Sequence, residues 1–255
     1  MSARRCAWLA MVAVVLAACG RADDPAYQGW VEADLVFVSP DEPGRVEILS
    51  VREGNTVTAG APLFTVDDDL QQADLKQNQA AVTNARQAFD RAQVLLKTNV
   101  GTQKAFEDAE AALRTAEARL NSSQTRLARR KVASPVTGTV QQVYFRPGEL
   151  VPAGRPVVAL LPPANMKLRF FVSEAVLPKI ALDETVRVTC DGCTPDLTAR
   201  ISFIARTAEF TPPVIYSLEE RAKLVFLVEA RPERPEAFRV GQPVSVALLP
   251  PEPRP

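Results

Sequence analysis

The chain has 255 residues, enough for one or two modest hydrophobic cores. Thirty basic residues balance thirty acidic ones, so there is no electrostatic case for a nucleic-acid partner, and 47% apolar with 24% charged residues is ordinary for a folded protein. Histidine is absent from the sequence, which removes the usual general base near neutral pH and the commonest metal ligand and lowers the expectation of an enzyme.

The N-terminus reads MSARRCAWLAMVAVVLAACG. Arg4 and Arg5 precede an apolar run from Ala7 to Leu16, which is of signal-peptide length and too short to span a bilayer. Residues 1–18 are therefore expected to be a signal peptide, so the mature chain is exported. The small residues before Cys19 resemble a bacterial lipobox, which implies that Cys19 carries lipid and becomes the first mature residue. An ordinary signal peptide with an incidental cysteine is the plainer reading. No other run approaches ~18 apolar residues, the length that would span a membrane. Residues 19–38 are expected to hold a lipidated linker and a first strand.

Residues 39–66 contain GRVEILSVREGNTVTAGAPLF, short β segments punctuated by turn residues. From 67 to 133 the composition changes: Ala, Gln, Arg, Glu and Leu dominate, as in helices. Leu75, Val82, Phe89 and Leu96 recur every seven residues, with Asn78, Ala85 and Ala92 three positions on. After Gly101 the same spacing returns at Phe106, Leu113, Leu120 and Leu127, with Ala109, Ala116 and Ser123 between them. The two seams mirror each other about Gly101. That predicts an antiparallel helical hairpin turning at Asn99 to Thr102. Each helix of about 30 residues would reach ~45 Å. Its outer faces read as solvated, but a two-helix projection has a thin core of its own, so a partner is expected.

Residues 134–162 repeat the first β motif. Gly44, Val46, Arg52, Gly54, Val57, Ala59, Gly60 and Pro62 recur at a constant offset as Gly138, Val140, Arg146, Gly148, Val151, Ala153, Gly154 and Pro156. Neither copy can bury both faces of its strands alone, so the two are expected to pack as one small sandwich opened by the hairpin. Residues 163–250 read as β with interruptions. MKLRFFV, VRVT, TARISFI, AKLVFLVEA and PVSVAL are strand candidates. SEAVLPKI reads as a short helix with Ser173 as its N-cap. Residues 251–255 form a tail. The fold class is thus α+β, a split sandwich with an inserted α-hairpin followed by a small β domain.

Cys190 and Cys193 lie in TCDGCT. Such a pair can be a redox centre, half a zinc site or a local disulfide. Zinc needs about four ligands, and the mature chain has no histidine and no further free cysteine. Asp191, Gly192 and Pro195 favour a β-turn over the helix start of a thioredoxin-like motif, so a structural disulfide leads. A thiol-redox protein using Cys190 and Cys193 remains as a reading from a different class.

The paired G-x-V…G-x-x-V-x-x-G-x-P halves resemble the halves of a lipoyl/biotinyl carrier. At the junction where a carrier presents its lysine this chain has Val66-Asp67-Asp68-Asp69, so no cofactor is expected. The order of parts resembles the HlyD-type periplasmic adaptor (membrane fusion protein) family over about residues 28–250. That resemblance implies a β-barrel after the sandwich, with Arg239-Val240-Gly241-Gln242-Pro243-Val244 turning into its last strand. It implies a periplasmic, membrane-anchored lipoprotein of a Gram-negative bacterium, held at the inner membrane. Gly20 stands where such retention usually goes with aspartate. Its partners would be an inner-membrane exporter, a TolC-type outer-membrane channel and copies of itself in a ring, a hexamer by analogy. Arg91, Leu95 and Thr102 match the spacing of the family's channel-docking motif, with threonine for serine, and Phe106 and Asp108 follow where the family has an aromatic and an acid. The AEFTPPVIYS stretch and the nearby CDGC resemble adaptors that serve ABC-type exporters. Only LLPPEPRP follows the barrel, which favours that branch over adaptors of resistance-nodulation-division pumps, the alternative.

Overall fold

The computed structural model describes residues 26–210 and 224–249. The expected signal peptide, Cys19, most of AEFTPPVIYS and the tail lie outside the described residues. The chain divides into two compact units, one of Leu35–Pro162 and one that joins the residues before Leu35 to those from Pro163 onward.

In the first unit the constant offset in sequence becomes a pseudo-two-fold in space. Strands β3 (Gly44–Leu49) and β4 (Thr56–Val57) recur 94 residues later as β7 (Gly138–Val143) and β8 (Leu150–Val151). With β2 (Val36–Val38), β5 (Pro62–Val66), β6 (Lys131–Ala133) and β9 (Val158–Leu161) they make two four-stranded sheets, ordered β2-β9-β7-β4 and β6-β5-β3-β8. Each sheet takes two strands from either copy, so neither copy could close a sheet alone. The cross-copy bonds come in matching pairs. Val46 N–H donates to Glu149 O at 2.9 Å, and Val140 N–H to Asn55 O at 2.8 Å. Gly54 N–H donates to Val140 O at 2.8 Å, and Gly148 N–H to Val46 O at 2.7 Å. Gly54 and Gly148 hold φ of 85° and 95°, a region that a side chain disfavours, which is why glycine stands at both turns.

Between the sheets lies one core of Val46, Val57, Leu63, Phe64, Val66, Val140, Val151, Val157, Val158 and Leu160. The repeat begins earlier than Gly44, because β2 and β6 are also images of each other. Lys131–Ala133, expected at the end of the hairpin segment, are therefore strand. They pair with β5 because the sheet edge needs a backbone partner there.

The hairpin is α1 (Asp69–Lys97) and α2 (Gln103–Ala128), about 44 and 39 Å long at 1.5 Å per residue. Asp67 accepts the Asp69 N–H at the start of α1 (3.2 Å). Every seam residue expected from the heptads is half-buried or buried, and Leu113, Ala116 and Ser123 are the buried ones. Arg86 pairs with Glu117 across the helices, as folding near residue 101 requires. Mirror pairing sets Phe89 opposite Leu113. The structure also brings the Phe89 ring to within 5.3 Å of Phe106, centroid to centroid, because two large rings reach diagonally across a layer of small residues.

The second unit is a closed six-stranded barrel. Its order is β10 (Met166–Ser173), β1 (Ala26–Ala33), β15 (Pro243–Leu248), β11 (Thr185–Thr189), β12 (Leu197–Ile204) and β14 (Leu224–Pro232), with β14 pairing back onto β10 and β13 (Glu209–Phe210) added on β14. The residue span 19–38 is thus divided: β1 closes the barrel between β10 and β15, while β2 joins the sandwich. β10 alternates buried and half-buried side chains, with Leu168, Phe170 and Val172 inside and Lys167, Arg169 and Phe171 outside.

Outside, Lys167 meets Asp34 (3.1 Å) and Glu229 (3.4 Å), and Arg169 meets Glu32 (2.8 Å) and lies over the Trp30 ring. Burial alone would lower the Lys167 ammonium's pKa, but the hydrogen bond to Asp34 and the charge of Glu229 outweigh it and hold it above its ordinary value. SEAVLPKI forms the expected short helix, of the 3-10 type, over Glu174–Lys179. Ser173 makes no capping bond and Pro178 sits inside the segment, denying the backbone donor a longer helix would use.

Candidate functional site

The hairpin tip is built by five residues, Thr98 to Thr102. Asn99 takes the left-handed conformation (φ 55°), which asparagine tolerates. Val100 and Gly101 then both donate backbone N–H groups to the Leu95 carbonyl, at 3.0 and 2.9 Å. Gly101 serves the turn by close approach: a β-carbon there would lie 3.0 Å from Leu95 Cβ. Thr102 is the N-cap of α2, its hydroxyl oxygen accepting from Ala105 N–H at 3.2 Å.

Arg91, Leu95 and Thr102 are all exposed, Leu95 by 45%. Arg91 has no ion-pair partner among the described residues, whereas Asp108 is tied to Lys104 at 3.0 Å. Phe106 belongs to the seam, against Phe89. Two residues that sequence reasoning passed over complete the tip. Val94 and Val100 are 59% and 76% exposed. Their signal was present: both are apolar yet fall outside the seam. The tip thus offers the exposed cations Arg91 and Lys97 among exposed aliphatic side chains, a surface for packing against protein. No group of three or more possible metal ligands occurs among the described residues, and no described helix is long and apolar enough to cross a membrane.

Cys190 and Cys193 are joined as a disulfide, Cα atoms 5.3 Å apart, in the turn from β11 to β12. Cys193 N–H donates to Cys190 O (3.2 Å), and the Gln242 side-chain amide donates to Cys193 Sγ (3.3 Å). A β-strand follows the pair, so the context is that of a pinned turn.

A six-stranded barrel together with a β-sandwich opened by an α-hairpin is the arrangement of a membrane fusion protein. The family model described as "RND MFP, barrel-sandwich hybrid domain" matches residues 34–161, and the chain belongs to the membrane fusion protein family. A UPF0194 membrane protein of Yersinia enterocolitica is 31% identical over 254 residues, covering 83% of this chain and 77% of the relative. The solvent efflux pump periplasmic linker SrpA of Pseudomonas putida is 30% identical over 118 residues, covering 46% of this chain and 31% of the linker. The chain spans only about half, or less, of the length of several other curated relatives it matches. Among solved structures, a MacA-MexA chimera carrying the Pseudomonas aeruginosa MexA α-hairpin shares the fold, with a TM-score of 0.73 at 19% identity over 88% of this chain and 81% of that one.

Proposed function

We propose that this chain is the periplasmic adaptor of a tripartite efflux or secretion system, joining an inner-membrane exporter to a TolC-type outer-membrane channel and forming part of the conduit. The observation that carries this is the hairpin: two long helices inserted in the sandwich of a membrane fusion protein, ending in an exposed tip of Arg91, Val94, Leu95 and Val100. The work is positioning and sealing, with energy supplied by the exporter. An ABC-type exporter is the favoured partner, on the resemblance of AEFTPPVIYS and CDGC. A ring of copies, a hexamer by analogy, and an inner-membrane lipid on Cys19 belong to the same reading. A second reading, a resistance-nodulation-division pump as partner, is favoured by the description of the matching family model.

The test is in-cell photo-crosslinking from Val100 and, separately, from the exposed barrel residue Arg187. A TolC-type channel captured at Val100 and an ATP-binding exporter captured at Arg187 are the expected products. A resistance-nodulation-division pump at Arg187 would select the second reading, and capture of neither partner would overturn both. In the same cells Arg91→Asp and Leu95→Ser should abolish efflux without changing expression or helicity. Normal efflux in both variants would remove the docking role of the tip.

A further inference from the structure

Among the positions where the pseudo-two-fold of the sandwich is not kept in chemistry, one pair lies at the base of the hairpin. Glu42 and Arg130 lie 94 residues from Val136 and Val36, and both valines pack against the sandwich core. Where one end of the repeat uses two aliphatic side chains, the end that carries the hairpin uses an acid and a base. Arg130 is buried and Glu42 half-exposed; the desolvation of the guanidinium offsets the attraction, so the pair contributes little to stability over its image.

Its contacts show another use. Arg130, 8% exposed, sends Nη1 to Pro43 O (2.9 Å) and Nη2 to Glu42 Oε2 (3.4 Å). The same Glu42 oxygen accepts from Gln71 Nε2 at 3.3 Å. Gln71 lies in the first turn of α1, and Arg130 just beyond the end of α2. One carboxylate on the loop between β2 and β3 therefore holds both ends of the hairpin. Asp41 adds Arg129 (3.2 Å), and Arg126 stands 3.9 Å from Glu42. The packing is close on the inner side, where a β-carbon on Gly44 would lie 2.9 Å from Arg130 Nη1. On the outer side an open cleft of about 510 Å³ borders the group.

We infer that Glu42 and Arg130 are positioning residues: an ionic joint that fixes the angle at which the hairpin leaves the sandwich, and with it the place of the docking tip. The importance of that angle for docking rests on the adaptor reading, while the joint itself does not.

The test is a distance distribution between spin labels at Gln103 and Glu47 of the full chain, introduced as noncanonical amino acids so that the cysteines stay native. The wild type should give one narrow distance. Glu42→Ala should broaden it, and Arg126→Ala, at its longer separation, should not. The decisive variant is Glu42→Val with Arg130→Val, which writes the aliphatic pair of the other end into this one. It should keep the sandwich's melting temperature yet lose the single narrow distance. Glu42→Gln, isosteric and uncharged, serves if that variant does not fold. An unchanged distribution in every folded variant overturns the inference. Broadening with transport untouched both by these variants and by Arg91→Asp would instead leave the joint standing and count against the adaptor reading.

Discussion

Two sites in the barrel unit carry local chemistry that can be checked directly. The Cys190–Cys193 bridge closes a loop of only a few residues, so chain-entropy arguments give it about 2 kcal/mol. Cys190→Ser with Cys193→Ser should lower the stability of the full chain by that amount in urea unfolding and leave the β11 and β12 pairing intact; a much larger loss would mean the bridge holds more than its own turn. Glu233 accepts from Thr198 Oγ1 at 2.7 Å and faces Arg200 at 3.2 Å. The hydrogen bond from Thr198, opposed by slight burial and aided by Arg200, holds its carboxyl below the ordinary value of 4.5. A depressed carboxyl stabilises the fold at pH above its unfolded value, and that contribution disappears as pH falls through the folded value. Thr198→Val should therefore raise the Glu233 titration midpoint, followed by carbon-detected NMR. An unmoved midpoint would transfer the effect to Arg200.

At the scale of elements, the hairpin was the most legible part of the sequence and the sandwich boundary the least. Heptads report burial directly, so every seam residue from Leu75 to Leu127 could be named before the fold was seen. The pairing of Phe89 with Phe106 could not, because it depends on how far two rings lean along their helices. Strand β6 was hidden because Lys131 to Ala133 follow a helix without a glycine or proline to mark the change. SEAVLPKI was legible as a short helix starting after Ser173, but the tighter 3-10 turn does not use the serine side chain as a cap. The seam carries an expected asymmetry: Leu113→Ala, at 7% exposure, should cost about 2–4 kcal/mol in thermal or urea unfolding of the hairpin. Leu70→Ala, at 76%, should cost little. Equal effects would show that the seam is not the hairpin's core.

For the whole molecule, constant offset was the informative signal. It implied two copies that need each other, and the structure adds that they exchange strands. What the offset could not show is that β1, far from the rest of the barrel in sequence, closes it. Barrel closure is a long-range pairing whose partners, Phe170 and Val244 against Gly29, leave no mark on local pattern. The tip's aliphatic residues were equally readable in principle, since an apolar residue off the seam of a polar helix has no intramolecular use.

The mirrored seam also restricts how such a molecule can vary in reach. Seven residues added to α1 alone would present a layer with nothing opposite it. Only equal additions to both helices keep large against large and small against small. Each such step moves the tip by about 10 Å, seven residues at 1.5 Å, and returns it to nearly the same face. The reach of the hairpin is therefore a graduated quantity, adjustable in whole heptads and otherwise fixed.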